Sequence, residues 1–368
     1  MNKPNILLVG AGAVGSTVAA WLAPHNKNFY VFDRPQVLDR LKNVGMTAYL
    51  QLHAEKNGNE GGGAAPEKPA SSKPASEKTV SEKSVPLKVV YRLEDCPTPD
   101  IILLCVKNYS LRSLSRLLVD AFGADELSDT IVVGLQNGVA NQEILPDYFS
   151  NLVYGIVSFN AWLDSPGVVG YQSKGPFLFG TPDNDNQKAV QSVVDLFNAG
   201  VPAIYSEHFQ DAALCKMIIN LTNSLTTLAG VGFREIDDMS LFQKLLSRQL
   251  YEGIKIVSAA GYRECKVGGA PAWLLIKASA LLPQKLTSVL FRRNVKKMVL
   301  SSMAQDVLQN ARGQNELEDI NGHLLALAHR YKVDAPYNEA IYSICRQEFA
   351  RDSFEPLSFS NIWQRMQT

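Results

Sequence analysis

The first apolar run, ILLVG (6–10), gives way to glycines, then to AVGSTVAAWLA, then to a second apolar run, FYVFD, ending at Asp33. Strand, turn, helix and strand in that order make a parallel βαβ unit. Two later runs, DIILLCV (100–106) and TIVVGLQ (130–136), are short and continuously apolar, the pattern of strands buried on both faces. A helical stretch beginning near Ser110 separates them, so this part of the chain predicts a doubly wound sheet. More strand and turn signals fill 151–205, notably SPGVVGYQSKGPFLFG, with a helix near 188–199. From about Ser206 the period is helical: the segment around CKMIINLTNS (215–224), then 241–260, 272–282, 301–311, 319–331 and 338–350. The expected fold class is α/β, with a sheet domain over 1–206 followed by a mostly α-helical domain over 207–368.

Between TAYLQL and LKVVYRL, both alternating and strand-like, residues 53–86 turn abruptly to Gly, Ala, Pro, Ser, Glu and Lys, with two valines as the only large apolar residues. That composition has too little to bury to order itself. It reads as a disordered, low-complexity expansion of a hairpin tip, which loop-closure entropy tolerates cheaply; a tethering role is the alternative. The 36 basic residues balance 36 acidic ones, so neither the basic surface that nucleic acid needs nor a polybasic membrane patch is expected. Five cysteines form no CxxC pair, which points to a reducing, cytoplasmic setting. The N-terminus mimics a signal peptide, but its glycine spacing argues for a folded role. No metal-ligating cluster is expected.

In CKMIINLTNS, Lys216, Asn220 and Asn223 project at roughly 0°, 40° and −20° on a helix of about 100° per residue. The plain reading is the wet side of an amphipathic helix, yet mid-helix asparagine costs a few tenths of a kcal/mol against Lys or Gln, so hydrogen bonding to something else competes with it. GAGAVG supplies Gly10, Gly12 and Gly15 in GxGxxG spacing between strand and helix. The first two let the backbone approach a pyrophosphate at the helix N-terminus, and the third lets helix and strand pack closely. This spacing, on a doubly wound sheet, points to a dinucleotide. Asp33 suits a ribose hydroxyl and hence NAD, whereas Arg34 suits the 2′-phosphate of NADP, the reading preferred here. Lys107 and Asn137 follow predicted strands, where open α/β sheets bind ligands; a solvated lysine and a tight turn are the plain alternatives. Near the C-terminus, Ser301, Ser302, Gln305 and Asp306 precede Glu316, residues that alone read as a helix cap and a first-turn charge.

Taken in order, GAGAVG, VKNYSL, LQNG, PGVVG…GPFLFG, KMIINLTN, SSMAQD and NELEDING resemble the ketopantoate reductase family across nearly the whole chain outside 53–86. The resemblance implies a Rossmann-type sheet, an active site in the cleft between the two domains and NADP(H)-dependent reduction of 2-dehydropantoate to (R)-pantoate in pantothenate and coenzyme A synthesis. It implies Lys216 as catalytic proton donor, and Asn137, Lys216, Asn220, Asn223 and Ser302 as substrate-binding groups. On the cofactor side it places Gly10, Ala11, Gly12, Ala13, Val14, Gly15, Arg34, Lys107, Asn137, Ala161 and Glu316. The chemistry agrees: hydride delivery to a keto carbon puts charge on oxygen, which a protonated lysine stabilises and then neutralises. The family's second asparagine usually follows the first by four residues, a position held here by Ser224, and VGFRE (231–235) lacks a further asparagine. A reductase of another branched 2-oxo acid, with NADH as donor, is therefore the alternative, and a nucleotide sensor without turnover a more distant one. The partner is a small-molecule 2-oxo acid, not nucleic acid or membrane; helical second domains often supply a homodimer face.

Overall fold

The computed structural model describes residues 3–51, 79–81, 84–266, 268, 271–295, 298, 301–309 and 314–367. In chain order the first half contains β1 (Ile6–Val9), α1 (Ala13–Leu22), β2 (Phe29–Phe32), α2 (Pro35–Val44), β3 (Thr47–Gln51), β4 (Thr79–Ser81) and β5 (Lys88–Val89). Next come β6 (Ile101–Leu104), α3 (Asn108–Phe122), β7 (Ile131–Gly134), α4 (Asn141–Ile144), β8 (Leu152–Val157), β9 (Ala161–Ser165), β10 (Val168–Tyr171), β11 (Phe177–Gly180), α5 (Gln187–Asn198) and β12 (Ala203–Tyr205). The remainder is helical: α6 (Phe209–Ala229), α7 (Met239–Ala259), α8 (Trp273–Leu281), α9 (Gln284–Val295), α10 (Ser302–Gln309), a π-helical turn (Glu318–Gly322), α11 (His323–Arg330), α12 (Pro336–Phe349) and α13 (Phe359–Arg365).

The main sheet runs β12-β11-β8-β7-β6-β1-β2-β5, parallel from β5 through β8, with β11 antiparallel to β8. Its strands bury both faces. Along β1, Ile6 and Leu8 join one core cluster and Leu7 and Val9 the other, the period of two that a covered sheet requires. The chain leaves β1 toward β2 and β5, then returns to β6 on the other side, so the strand order reverses between β1 and β6. Open α/β sheets bind ligands at the carboxyl ends flanking such a reversal.

Helix α1 is buried on nearly every side from Gly15 to Leu22. The second sheet, β4-β3-β10-β9, explains this: Ala48, Val169 and Tyr171 from it share one core cluster with Val18, Ala19 and Trp21 of α1 and with Ile6 and Leu8 of β1. A helix held between two sheets has no wet face to keep polar. Its hydroxyls are satisfied locally, Ser16 by the carbonyl of Ala11 and Thr17 by that of Val14.

The hairpin expected between TAYLQL and LKVVYRL is corrected. The antiparallel partner of β3 is β4, inside the low-complexity stretch, while Lys88–Val89 leaves to edge the main sheet beside β2. Ladder hydrogen bonds come from the backbone, so Thr79–Ser81 can pair although Val80 is its one large apolar residue. Residues 53–78 and 82–83 of that stretch lie outside the described residues. Helices α2, α4, α9 and α13 were not expected.

Helix α6 crosses from the sheet into the helical half. Phe209 at its start meets Tyr154 of β8, and its apolar positions Met217, Ile218, Leu221 and Leu225 are buried in the helical core. Gly230, in the left-handed conformation, ends it.

Candidate functional site

The turn after β1 is built by close approach. A Cβ at Gly15 would stand 1.8 Å from the carbonyl oxygen of Gly10, so α1 can leave β1 this tightly only with glycine there. At Gly12 a Cβ would meet nothing within 4 Å. Gly12 caps α1 with no side-chain hydrogen bond, so the first-turn N–H groups of Ala13, Val14 and Gly15 have no helical acceptor and can hold an anion. Asp33, at the end of β2, accepts from the N–H of Ala11 at 2.6 Å and from that of Arg34 at 2.6 Å. The Arg34 side chain is 83% exposed, its Nε 3.7 Å from Asp33.

Across the carboxyl end of the sheet, a second group of residues converges from five segments of the chain. Lys107 follows β6, and its ammonium donates to Glu316 at 2.8 Å and to Asp306 of α10 at 3.1 Å. Asn137 follows β7; its Nδ2 donates to Glu316 at 3.3 Å and its Oδ1 accepts from the Lys216 ammonium at 3.0 Å. Asn108, next to Lys107, donates to the Asn137 carbonyl at 3.1 Å and so holds that turn. Carboxylate, amide and two ammonium groups thus form one connected chain between the sheet and the helices.

Burial sets the electrostatics. It pushes Lys216 down to about 8, beyond the opposing pull of Glu316, and the charge of Lys107 adds to the lowering. Burial also works against the charge of Lys107, but Glu316 and Asp306 together outweigh it and hold that ammonium above its ordinary range. Burial raises Asp306 despite its contact with Lys107, and raises Asp319 to about 6 against a hydrogen bond from Asn108. Of the two lysines, only Lys216 has a proton it can release near neutrality.

On α6, Asn220 and Asn223 share the half-buried face with Lys216, spanning about 10 Å of helix. The buried Nδ2 of Asn220 has no hydrogen-bond partner among the described residues. Ser224 points elsewhere: fully buried, it accepts from Gln249 at 3.1 Å and Asn321 at 3.1 Å, in the packing between α6, α7 and the π-helical turn. The three-residue step to Asn223 therefore keeps an amide on the Lys216 face, and Ser224 takes a structural position. One turn on, Thr227 meets Ser301 at 2.9 Å, which seats the start of α10, and with it Ser302, at the end of the same stripe. Ala161 opens β9 in the second sheet, paired with Tyr171. Asp306 and Asn108 enter the cluster without having been singled out for a role; each was adjacent to a residue that was, Asp306 in SSMAQD and Asn108 beside Lys107.

Such a sheet, with a glycine turn at its strand-order reversal and a lysine cluster facing it from a helical half, is that of a Rossmann-type oxidoreductase. Within that class the chain belongs to the ketopantoate reductase family: the family model "Ketopantoate reductase PanE/ApbA" matches residues 6–184, and its C-terminal companion matches 208–348. It is 28% identical over 252 residues to a 2-dehydropantoate 2-reductase of Pyrococcus horikoshii, covering 67% of this chain and 75% of that one. Its fold is shared with a PanE/ApbA family ketopantoate reductase of Ralstonia eutropha at a TM-score of 0.68 and 18% identity, over 99% of this chain and 100% of that one. It is shared equally with a D-mandelate dehydrogenase solved with NADH and anilino(oxo)acetate, at a TM-score of 0.68 and 19% identity, over 94% and 98%.

Proposed function

We propose that this chain is an NADPH-dependent 2-dehydropantoate 2-reductase, forming (R)-pantoate for pantothenate and coenzyme A synthesis, with Lys216 as the proton donor. The observation that carries the reading is the Lys216 ammonium itself, buried, pushed down to about 8 and held by Asn137 on the face it shares with Asn220 and Asn223. The nicotinamide, when bound, supplies the hydride. Lys216 stabilises the negative charge that develops on the keto oxygen and gives up its proton. Asn137 fixes the direction of the ammonium, and Glu316 and Asn108 fix Asn137. The unpaired Nδ2 of Asn220 suits a substrate oxygen, with Asn223 and Ser302 as further donors along the stripe.

The glycine turn fits a dinucleotide: open space at Gly12, unpaired N–H groups at the start of α1 and an exposed Arg34 beyond β2. Lys107 and Glu316 connect through Asn137 to Lys216, and Ala161, on the second sheet, is the remaining residue assigned to the cofactor. Gly12→Ala should leave the thermal midpoint unchanged, because its Cβ meets nothing, yet weaken NADPH binding about tenfold or more by occupying the pyrophosphate approach. Gly15→Ala should instead destabilise the fold by about 3 kcal/mol, since backbone must move. Equal effects of the two substitutions in thermal melts and fluorescence titration would contradict this placement.

A second reading, a reductase of another branched 2-oxo acid using NADH, is favoured by the carboxylate of Asp33 beside Arg34 and by VGFRE in place of a further asparagine. The test is cofactor oxidation with 2-dehydropantoate, 2-oxoisovalerate and phenylglyoxylate, each with NADPH and NADH. The proposal expects the highest kcat/KM for 2-dehydropantoate with NADPH. Arg34→Ala should then raise the KM for NADPH about tenfold and leave that for NADH within about twofold, the loss of one phosphate ion pair. A wild-type preference for NADH, unaltered by Arg34→Ala, would favour the second reading.

A further inference from the structure

The π-helical turn ahead of α11 sits against the loop that carries Asn137. Gly138, with φ at +78°, lies so close to it that a Cβ there would stand 2.9 Å from the carbonyl oxygen of Asp319. The Asp319 side chain meets Asn108, the buried first residue of α3. The Asn108 amide then serves two acceptors: one Nδ2 hydrogen goes to the Asn137 carbonyl at 3.1 Å, the other to the Asp319 carboxylate. Its Oδ1 is buried with no partner among the described residues. Over five residues the π turn thus reaches three ways: Glu318 to Tyr342 of α12, Asp319 to the Asn137 turn, and Asn321 to the Ser224 hydroxyl of α6. Such turns recur at functional sites.

An ionised carboxylate and a carbonyl only accept, so together they fix the amide with its NH2 end toward them. The charged acceptor makes the stronger bond, about twice that of a neutral one. When Asp319 takes a proton it loses that charge and gains an O–H, for which the unpaired Oδ1 of Asn108 is an acceptor. An amide that turns to meet it withdraws its N–H from Asn137, the residue whose own Oδ1 receives the Lys216 ammonium at 3.0 Å. Burial favours the proton on Asp319, as do the charges of Glu316 and Glu318; Asn108 and Lys107 oppose it, and the balance lies at about 6. Titratable groups on the packed helices are engaged elsewhere: Tyr342 and Arg346 of α12 with Glu318, at 2.6 and 4.0 Å, and His323 of α11 with Glu143, at 3.9 Å.

We propose that Asp319 is a positioning residue for the reaction at Lys216: ionised, it holds Asn108 on the Asn137 turn, and protonated, it lets that turn go. The inference rests on the reading of Lys216 as the proton donor. Asp319 acts through contact and not through its field, because the charges that bear on Lys216 are those of Glu316 and Lys107. It therefore adds an acid limb to the pH profile and leaves the alkaline limb where Lys216 sets it.

In the wild type, kcat/KM for the 2-oxo acid at saturating cofactor should fall about fivefold as pH drops through about 6, the loss of one charge-assisted bond. Asp319→Asn cannot ionise. It should sit at that lower level from roughly pH 5 to 7, without the acid limb, and keep the alkaline limb near 8. Asn108→Ala should lose the acid limb too, and adding Asp319→Asn to it should cost less than about twofold more, because the two residues act in one chain. A second readout needs no substrate: by nuclear magnetic resonance of the free protein, the side-chain amides of Asn108 and Asn137 should titrate together in wild type, with a midpoint near 6, and stay fixed in Asp319→Asn. An acid limb that survives Asp319→Asn would overturn the proposal, as would a wild-type profile without one, or amides that do not move. Failure of the Lys216 reading looks different: Lys216→Ala would then keep full turnover while the amides still titrate.

Discussion

Lys216→Ala should lower kcat for 2-oxo acid reduction by about 10²–10⁴-fold, the range for losing a positioned general acid, while the dissociation constant for NADPH changes less than about threefold. The asymmetry follows from geometry. The Lys216 ammonium donates to Asn137 on the helical side of the cluster, whereas the glycine turn, Arg34 and the start of α1 are held by contacts that do not include it. The pH profile supplies a second signature. Burial lowers Lys216 to about 8, and the group must be protonated to act, so its contribution to kcat/KM should be level below that pH and fall as pH rises through it. The profile of kcat/KM reports the free enzyme, the state to which this value belongs. The alanine variant should retain only a slow rate without that alkaline limb. Full turnover in Lys216→Ala, or an unchanged limb in a slower variant, would remove the lysine from the chemistry.

Much of this was legible in the sequence because the signals were local. Continuous apolar runs at β1, β6 and β7 required strands buried on both sides, and the glycines at 10, 12 and 15 fixed what followed the first of them. The polar stripe on α6 was readable from helical period alone. What stayed hidden depended on pairing across distance. Nothing local to LKVVYRL distinguishes a hairpin arm from an edge strand of another sheet, and β4 pairs through its backbone, with Val80 alone too little to make an alternating pattern. Helix α9 was missed for a related reason. Apolar residues on both its faces, Phe291 against Phe242 inside and Leu286 and Val289 outside, blur the 3.6 periodicity.

The site shows the same division. Residue types with an obvious role, such as Lys216, Lys107 and Glu316, could be named from motifs, but the value near 8 on Lys216 could not. An unperturbed lysine near 10.4 would already be protonated at neutral pH; only the burial of α6 against the sheet brings the proton within easy release. The asparagine spacing was ambiguous until the neighbours of Ser224 were known. Its contacts with Gln249 and Asn321 commit it to the helical core and leave Asn223 as the amide on the lysine face.

Glu316→Gln separates the electrostatic role of the cluster from its structural one. Glu316, with a side chain 2% exposed, ties Lys107 and Asn137 together, and its negative charge opposes the lowering of Lys216. Glutamine keeps the shape and removes the charge, so two effects should appear together. Stability should fall by about 1–3 kcal/mol, less than for a fully buried pair, because Lys107 keeps Asp306 and partial access to water. The alkaline limb of kcat/KM should move to lower pH, since Lys216 then feels burial and Lys107 without the compensating carboxylate, and turnover at pH 8 should drop about tenfold or more. Asp306→Asn is the matched control. It removes a carboxylate from the same ammonium of Lys107, but the charges that act on Lys216 are those of Glu316 and Lys107. Its melting midpoint should fall while the limb stays near 8. If both variants move the limb equally, stability and not charge governs the site, and the tuning of Lys216 by Glu316 is wrong.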